Sequence, residues 1–312
     1  MRTTGSRCRF VLYTFLILLS VASSGIAAEK LKPYILATGS TSDFPTTVEQ
    51  VKQALQRQQF RVIGEYTPYE QAHIIVVTND DLIALAEREP NAAYLSAQRV
   101  SVTQTRSGLQ VAYTNPLYYA HAYRVSGDVQ SVSEKLAAAL GAVESFGSKG
   151  MTPDKLRKYH YSFGMEYFDD PLELARYNSH QEALRAVTGS LAEGRGGTGK
   201  VYRIDIPRAD IAVFGVALSD GMANDKRVMD VIDHKELKQT PHLPYELLVV
   251  GRKVVALAPR FRIAIDFPDL RMMGENGFTQ IMATPEAIQK SLVLAAGGEW
   301  KDPSFAAMNP DR

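Results

Sequence analysis

The side chains able to do chemistry here are six histidines, a tyrosine cluster, an arginine–aspartate pair and a glycine loop. His234 and His242 lie eight residues apart in DVIDHKELKQTPHLP, near Asp230, Asp233 and Glu236. Imidazoles and carboxylates from one loop are a donor set for a divalent metal. The same pattern also reads as a polar helix end followed by a loop with a proline. No two histidines stand four apart on one helix, and H-E-x-x-H is absent. His121 sits among Tyr113, Tyr118, Tyr119 and Tyr123. Such a cluster, apolar in body and polar at the tip, lines small-molecule pockets or fills a core. Packing is the favoured reading, and His121 or His234 is the candidate acid/base of an enzymatic alternative. Further along come Arg260, Arg262, Asp266 and Asp269. Arg262 and Asp266, four apart, share one face of a strand, as an ion pair or an anion site.

The loop GRGGTGKV, Gly194 to Val201, imitates a phosphate-binding G-x-x-x-x-G-K-[ST]. A working loop of that kind follows a strand and opens a helix, whose N-terminus faces the phosphates. Here a helical pattern precedes it and the strand VYRIDI follows, and Val201 replaces the magnesium-binding hydroxyl. It therefore reads as a helix-to-strand connection. No G-x-S-x-G elbow and no acid/base carboxylate pair at a defined spacing occurs. The expectation is a binding module for a small molecule or protein, with no cofactor. The alternatives are an enzyme on a small exported substrate and a metal carrier using His234 and His242.

The elements that must position these groups occur twice. FPTTVEQVKQALQRQQF places Val48, Val51 and Leu55 on one helical face, and NSHQEALRAVTGSLAEG does so with Leu184, Val187 and Leu191. Thr46 with Glu49, and Ser179 with Glu182, offer capping boxes. Strand patterns precede each helix, at 32–39 and 159–168. After them come EYTPYEQAHIIVV in one half and RIDIPRADIAVFG in the other. QVAYTNPLYYAHAY and RIAIDFPDLRM then read as alternating strands stopped by Pro116 and Pro268. Closing helices are expected over 129–143 and 283–296. The organisation is thus a first repeat at 31–146, a Gly/Pro/Lys linker at 147–156, a second repeat at 157–298 and a polar tail at 299–312. One helix with an alternating sheet gives an α+β fold, and two copies suggest a pseudo-symmetric pair within the chain.

Residues 1–28 are basic, then apolar, then small, the pattern of an export signal cleaved near Ala28. The expected location is periplasmic or secreted, with no stable membrane insertion afterwards. The single cysteine, Cys8, lies inside that signal, so the remaining chain has no thiol. Basic and acidic side chains number 35 and 34. Removal of three arginines with the signal leaves 32 against 34, which gives nucleic acid no overall basic surface.

VAYTNPLYYAHAY, ADIAVFGVAL and LPYELLVVGRKVVALAPRFRIAIDFPDL together resemble the domain of unknown function 302 family. The resemblance covers most of both repeats but consists of strand and turn patterns. It implies, for each repeat, a β-α-β-rich unit with a curved antiparallel sheet and helices on one face, the two related by a pseudo-two-fold. It brings no catalytic residues. VVTNDD at 76–81 and Ala92-Ala93 depart from the pattern and make the halves unequal. From the tyrosine cluster and its charged counterpart, not from the resemblance, candidate ligand contacts are Tyr113, Tyr118, Tyr119, His121, Arg260, Arg262 and Asp266.

Overall fold

The computed structural model describes residues 29–161 and 164–301. The expected export signal at 1–28 lies outside the described residues, as does most of the tail. The first half runs β1 (Tyr34–Leu36), α1 (Phe44–Arg57), β2 (Arg61–Tyr69), β3 (Ala72–Thr78), α2 (Asp80–Arg88), β4 (Gln98–Thr105), β5 (Gly108–Thr114), α3 (Pro116–Ala122), α4 (Gln130–Leu140) and β6 (Glu144–Phe146). A short helix α5 (Pro153–Arg157) follows. The second half runs β7 (Leu172–Arg176), α6 (His180–Ala192), β8 (Thr198–Ile206), β9 (Ile211–Leu218), α7 (Asp225–Ile232), β10 (Tyr245–Val250), β11 (Lys253–Ala256), α8 (Pro259–Asp266) and α9 (Thr284–Ala295).

The strands form two antiparallel sheets, ordered β2-β3-β4-β5-β1-β6 and β7-β11-β10-β9-β8. Alternation decides which side chains meet which layer. In β4 and β5, Val100 pairs with Tyr113 and Val102 with Val111, on the side of α1 and α4. The intervening residues Arg99, Thr103 and Gln110 face the other way. They hydrogen-bond to residues 238–241 of the second half: Thr103 to Thr240 at 2.9 Å and Gln110 to the Lys238 carbonyl at 2.7 Å. One buried apolar cluster therefore holds residues of both sheets. At the sheets' facing edges β2 lies against β8, close enough that a Cβ on Gly64 would sit 2.4 Å from the Val201 carbonyl oxygen.

Several expectations shift. The segment 159–168 is no strand in its described residues, and the leading strand of this half is β7. Ser179 caps α6 as expected, accepting from the Glu182 amide at 3.1 Å, but α1 is capped by Asp43 rather than Thr46. The segment 147–156 carries the start of α5 and a bridge between Leu31 and Met151. RIAID is helix α8 rather than a strand. Its proline signal is Pro259, at the first turn, where a missing N–H costs nothing. Pro116 opens α3 in the same way, with Asn115 capping it. The glycine loop is the α6–β8 connection: Gly194, Gly196 and Gly197 have φ of 66°, 69° and 67°, which glycine adopts at no steric cost. Among the described residues no helix is long and apolar enough to cross a membrane.

Candidate functional site

Two places concentrate the chemistry, one sealed and one open. The sealed one is assembled from both sheets. β4 supplies Arg99, β10 supplies Tyr245 and Glu246, α8 supplies Arg262 and Asp266, and a turn before β10 supplies His242. Arg99 pairs with Glu246, and Arg262 pairs with Asp266. Arg262 also reaches Glu246 at 3.4 Å and the His242 carbonyl at 2.7 Å. Asp266 accepts from the Tyr119 hydroxyl at 2.8 Å and lies 2.6 Å from His242 Nδ1. His242 Nε2 lies 3.1 Å from the Tyr245 hydroxyl. Arg262 is 2 % exposed, Glu246 7 %, and His242 and Asp266 0 %.

Two guanidiniums thus face two carboxylates with nothing left over, which is what permits burial of four charges. Burial, and then the Arg262 and Arg99 charges, hold His242 well below the usual imidazole range. Its contact with Asp266 is therefore a hydrogen bond from a neutral Nδ1–H rather than an ion pair. Burial alone would lower the Arg262 pKa, yet it stands above the usual value because the Glu246 carboxylate favours the cation.

Tyr202 shows how tightly the cluster is enclosed. Its hydroxyl reaches Glu246 at 3.5 Å across Gly215, where an added Cβ would lie 2.1 Å from the ring. Gly215→Ala is expected to destabilise the protein by about 1–3 kcal/mol through overpacking. Urea unfolding measures it, and an unchanged midpoint would show that the ring moves aside freely.

The open place is a cleft of about 470 Å³ beside α8. Ile263, Ala264 and Phe267 form its floor, and Tyr161, Met165 and Phe278 are among its walls. Arg260 stands at its rim, paired with Glu166 at 2.5 Å. The helix is anchored from behind. Its last carbonyls, Ala264 and Ile265, accept from the Tyr159 and Tyr118 hydroxyls at 2.9 and 2.8 Å, so they need no water.

The residues expected to contact ligand divide between these places. Arg262, Asp266 and Tyr119 belong to the sealed cluster, and Tyr118 backs α8; none faces an open pocket. Tyr113 is a core residue on the opposite side of its sheet, its hydroxyl bonded to the Gly141 carbonyl at 3.0 Å. Burial pushes that phenol up to about 12. His121 is half-buried on α3, and burial, then the Arg157 charge, lowers its pKa. Only Arg260 lines the open cleft. The two histidines offered as metal ligands are not brought together usefully. His242 has both ring nitrogens engaged in the core, while His234 is exposed. Among the described residues no group of three or more His, Cys, Asp and Glu side chains could hold a metal ion.

Arg99, Glu246, Tyr202 and Tyr245 were missed by sequence reasoning. Their signal was present: Arg99 and Glu246 each interrupt an apolar strand, in QRVSV and YELLVV. A charge there must be paired or exposed. No family model, curated protein or solved structure matches this chain.

Proposed function

We propose that the chain is an exported binding protein without catalysis of its own, whose ligand lies in the cleft beside α8. One observation carries this reading. The converging groups that could exchange protons, His242, Glu246 and Asp266, are closed upon one another in the core, while the cleft beside α8 is open and walled mainly by apolar side chains. Catalysis needs converging polar groups within reach of substrate; binding of an apolar body needs concave apolar surface. The volume falls within the range of small-molecule sites.

The reading includes two tandem repeats. In both sheets the half's first strand lies beside the strand of the last hairpin, and Pro116 and Pro259 open the helix that follows it. On that correspondence Tyr119 and Arg262 are equivalent positions, so one repeat would provide aromatic packing where the other provides charge. Kinship with the domain of unknown function 302 family is part of the proposal. It rests on the β9 and β10 segments, since RIAID is helical.

Ala264→Phe tests the site. A ring on the cleft floor fills the space while leaving the helix backbone alone. Binding of the neutral fluorescent probe N-phenyl-1-naphthylamine is expected in the wild type. The variant should bind at least about tenfold more weakly, the equivalent of about 1.4 kcal/mol. Equal probe binding by a folded Ala264→Phe protein would place the ligand elsewhere.

A further inference from the structure

We infer that the ligand is a free amphipathic anion, an acyl chain in the apolar cleft with a carboxylate-class head beside it. This rests on the reading of the cleft as a binding site and adds the chemistry of what enters. The apolar cleft shares Tyr161, Leu270 and Met272 with a second, polar cleft of about 830 Å³. Lys149, Lys235, Arg271 and His234 line the polar one, against Asp269 and Glu275. The Asp269 carboxylate already accepts from the Lys149 amide at 2.9 Å.

The same surface continues over two further hollows. One adds Arg106 and Lys238, with Glu236, and the other adds Lys32. The belt so formed holds Lys32, Arg106, Lys149, Lys235, Lys238 and Arg271 against three carboxylates. The Lys238 ammonium is held by the Asp233 carbonyl, to which it donates at 2.6 Å. A chain of nearly balanced charge thus gathers twice as many cations as anions on one surface, next to its apolar cleft.

Each half of the arrangement selects one end of a molecule. Burying a methylene is worth about 0.8 kcal/mol, so the cleft rewards a chain. A carboxylate dragged into that cleft would lose its water, whereas in the adjoining cleft it keeps partial hydration and gains charged donors. A neutral lipid leaves the belt unused, and a small inorganic anion leaves the cleft unfilled. Met272 stands exposed where the clefts meet and Met273 on the polar one, and flexible thioethers adapt to chains of differing shape.

Calorimetry with the signal-free protein tests this, using dodecanoate, dodecanol and acetate below any micelle threshold, and phosphatidylglycerol vesicles in parallel. Dodecanoate is expected to bind about tenfold more tightly than dodecanol, and acetate not measurably. Salt raised from about 0.05 to about 0.5 M should weaken dodecanoate and leave dodecanol unchanged, because it screens only the head. The double reversal Lys235→Glu/Arg271→Glu, at two exposed positions, should weaken dodecanoate about tenfold and dodecanol less than about twofold. Equal affinity for dodecanoate and dodecanol would overturn the anionic class while keeping the cleft as a site. No binding of either chain, with no response to Ala264→Phe, would remove the cleft reading itself. Binding to vesicles but not to dodecanoate would overturn the free ligand in favour of a membrane surface.

Discussion

Arg262→Met is expected to destabilise the protein by about 3–5 kcal/mol, the cost of leaving a buried charge without its partner. Methionine fills a similar length of side chain, so little of the loss would come from a cavity. What changes is the charge ledger of the sealed cluster. Asp266 keeps the Tyr119 hydroxyl and His242, but loses the guanidinium with which it is paired. Glu246 keeps Arg99 and loses its second arginine. The His242 carbonyl, buried with its ring, loses the donor at 2.7 Å. Arg262→Lys should recover only part of the loss, since one ammonium cannot span Glu246, Asp266 and that carbonyl as a planar fork does. Arg262→Met/Asp266→Asn should regain more, because it removes the stranded carboxylate with the charge that held it. A double-mutant cycle by urea unfolding would then give a coupling of about 1–3 kcal/mol. If Arg262→Met unfolds within about 0.5 kcal/mol of wild type, the cluster contributes nothing to holding the two sheets together.

That cluster also shows where the sequence was legible and where it was not. The helices α1 and α6 fell where apolar spacing put them, and α4 and α9 fell within the segments expected to close each half, because each is amphipathic and buries one stripe of side chains. Helix α8 is buried nearly all round, so RIAIDF has no polar stripe to reveal a helical period. Its alternation of charge and apolar residue imitates a strand. Arg262 and Asp266 share a face in either reading, and the pairing was recognised although its geometry was not. Tyr118 and Tyr119 are adjacent, and on a strand one of them would point away. The helix α3 lets both hydroxyls reach α8. The open cleft left no mark in the sequence, since its floor comes from α8 and its walls from Tyr161, Met165, Leu270, Met272 and Phe278. Only tertiary packing brings these together.

Asp225→Asn is expected to be more stable than the wild type at pH 8, and no more stable at pH 5. Asp225 opens α7 yet is 1 % exposed, and it joins the two halves. One oxygen accepts from the Tyr66 hydroxyl of β2 at 2.7 Å and from the Leu218 amide at 2.9 Å. The other has no hydrogen-bond partner among the described residues. Burial pushes its pKa from 3.8 up to about 7, against the pull of those two donors. Asp233 is likewise pushed up to about 7 by burial, with the Gln239 amide and then the Lys238 and Lys235 charges opposing. The groups facing Asp225 are the phenols Tyr66, Tyr69 and Tyr245, which bring no cation; the two lysines act on Asp233 alone.

For both carboxyls the folded pKa lies above the unfolded one, so the folded state binds more protons between them. Their contribution is complete below about pH 4 and is lost as pH rises through about 7. A rise from 3.8 to about 7 would amount to about 4 kcal/mol for one carboxyl, and relaxation around the charge brings the expected value to about 2–3 kcal/mol. His242 acts in the opposite sense. Its lowered pKa gives stability that is complete above 6.5 and lost as pH falls below it, so the wild-type profile alone would blur the two effects. Asparagine separates them. Its amide keeps the carbonyl acceptor for Tyr66 and Leu218 and never ionises, while His242 and Asp233 titrate alike in both proteins. Subtracting the two urea-unfolding profiles therefore leaves Asp225 alone. A difference that stays constant from pH 5 to pH 8 would mean that this carboxyl is ionised throughout, and that water reaches the junction between the halves.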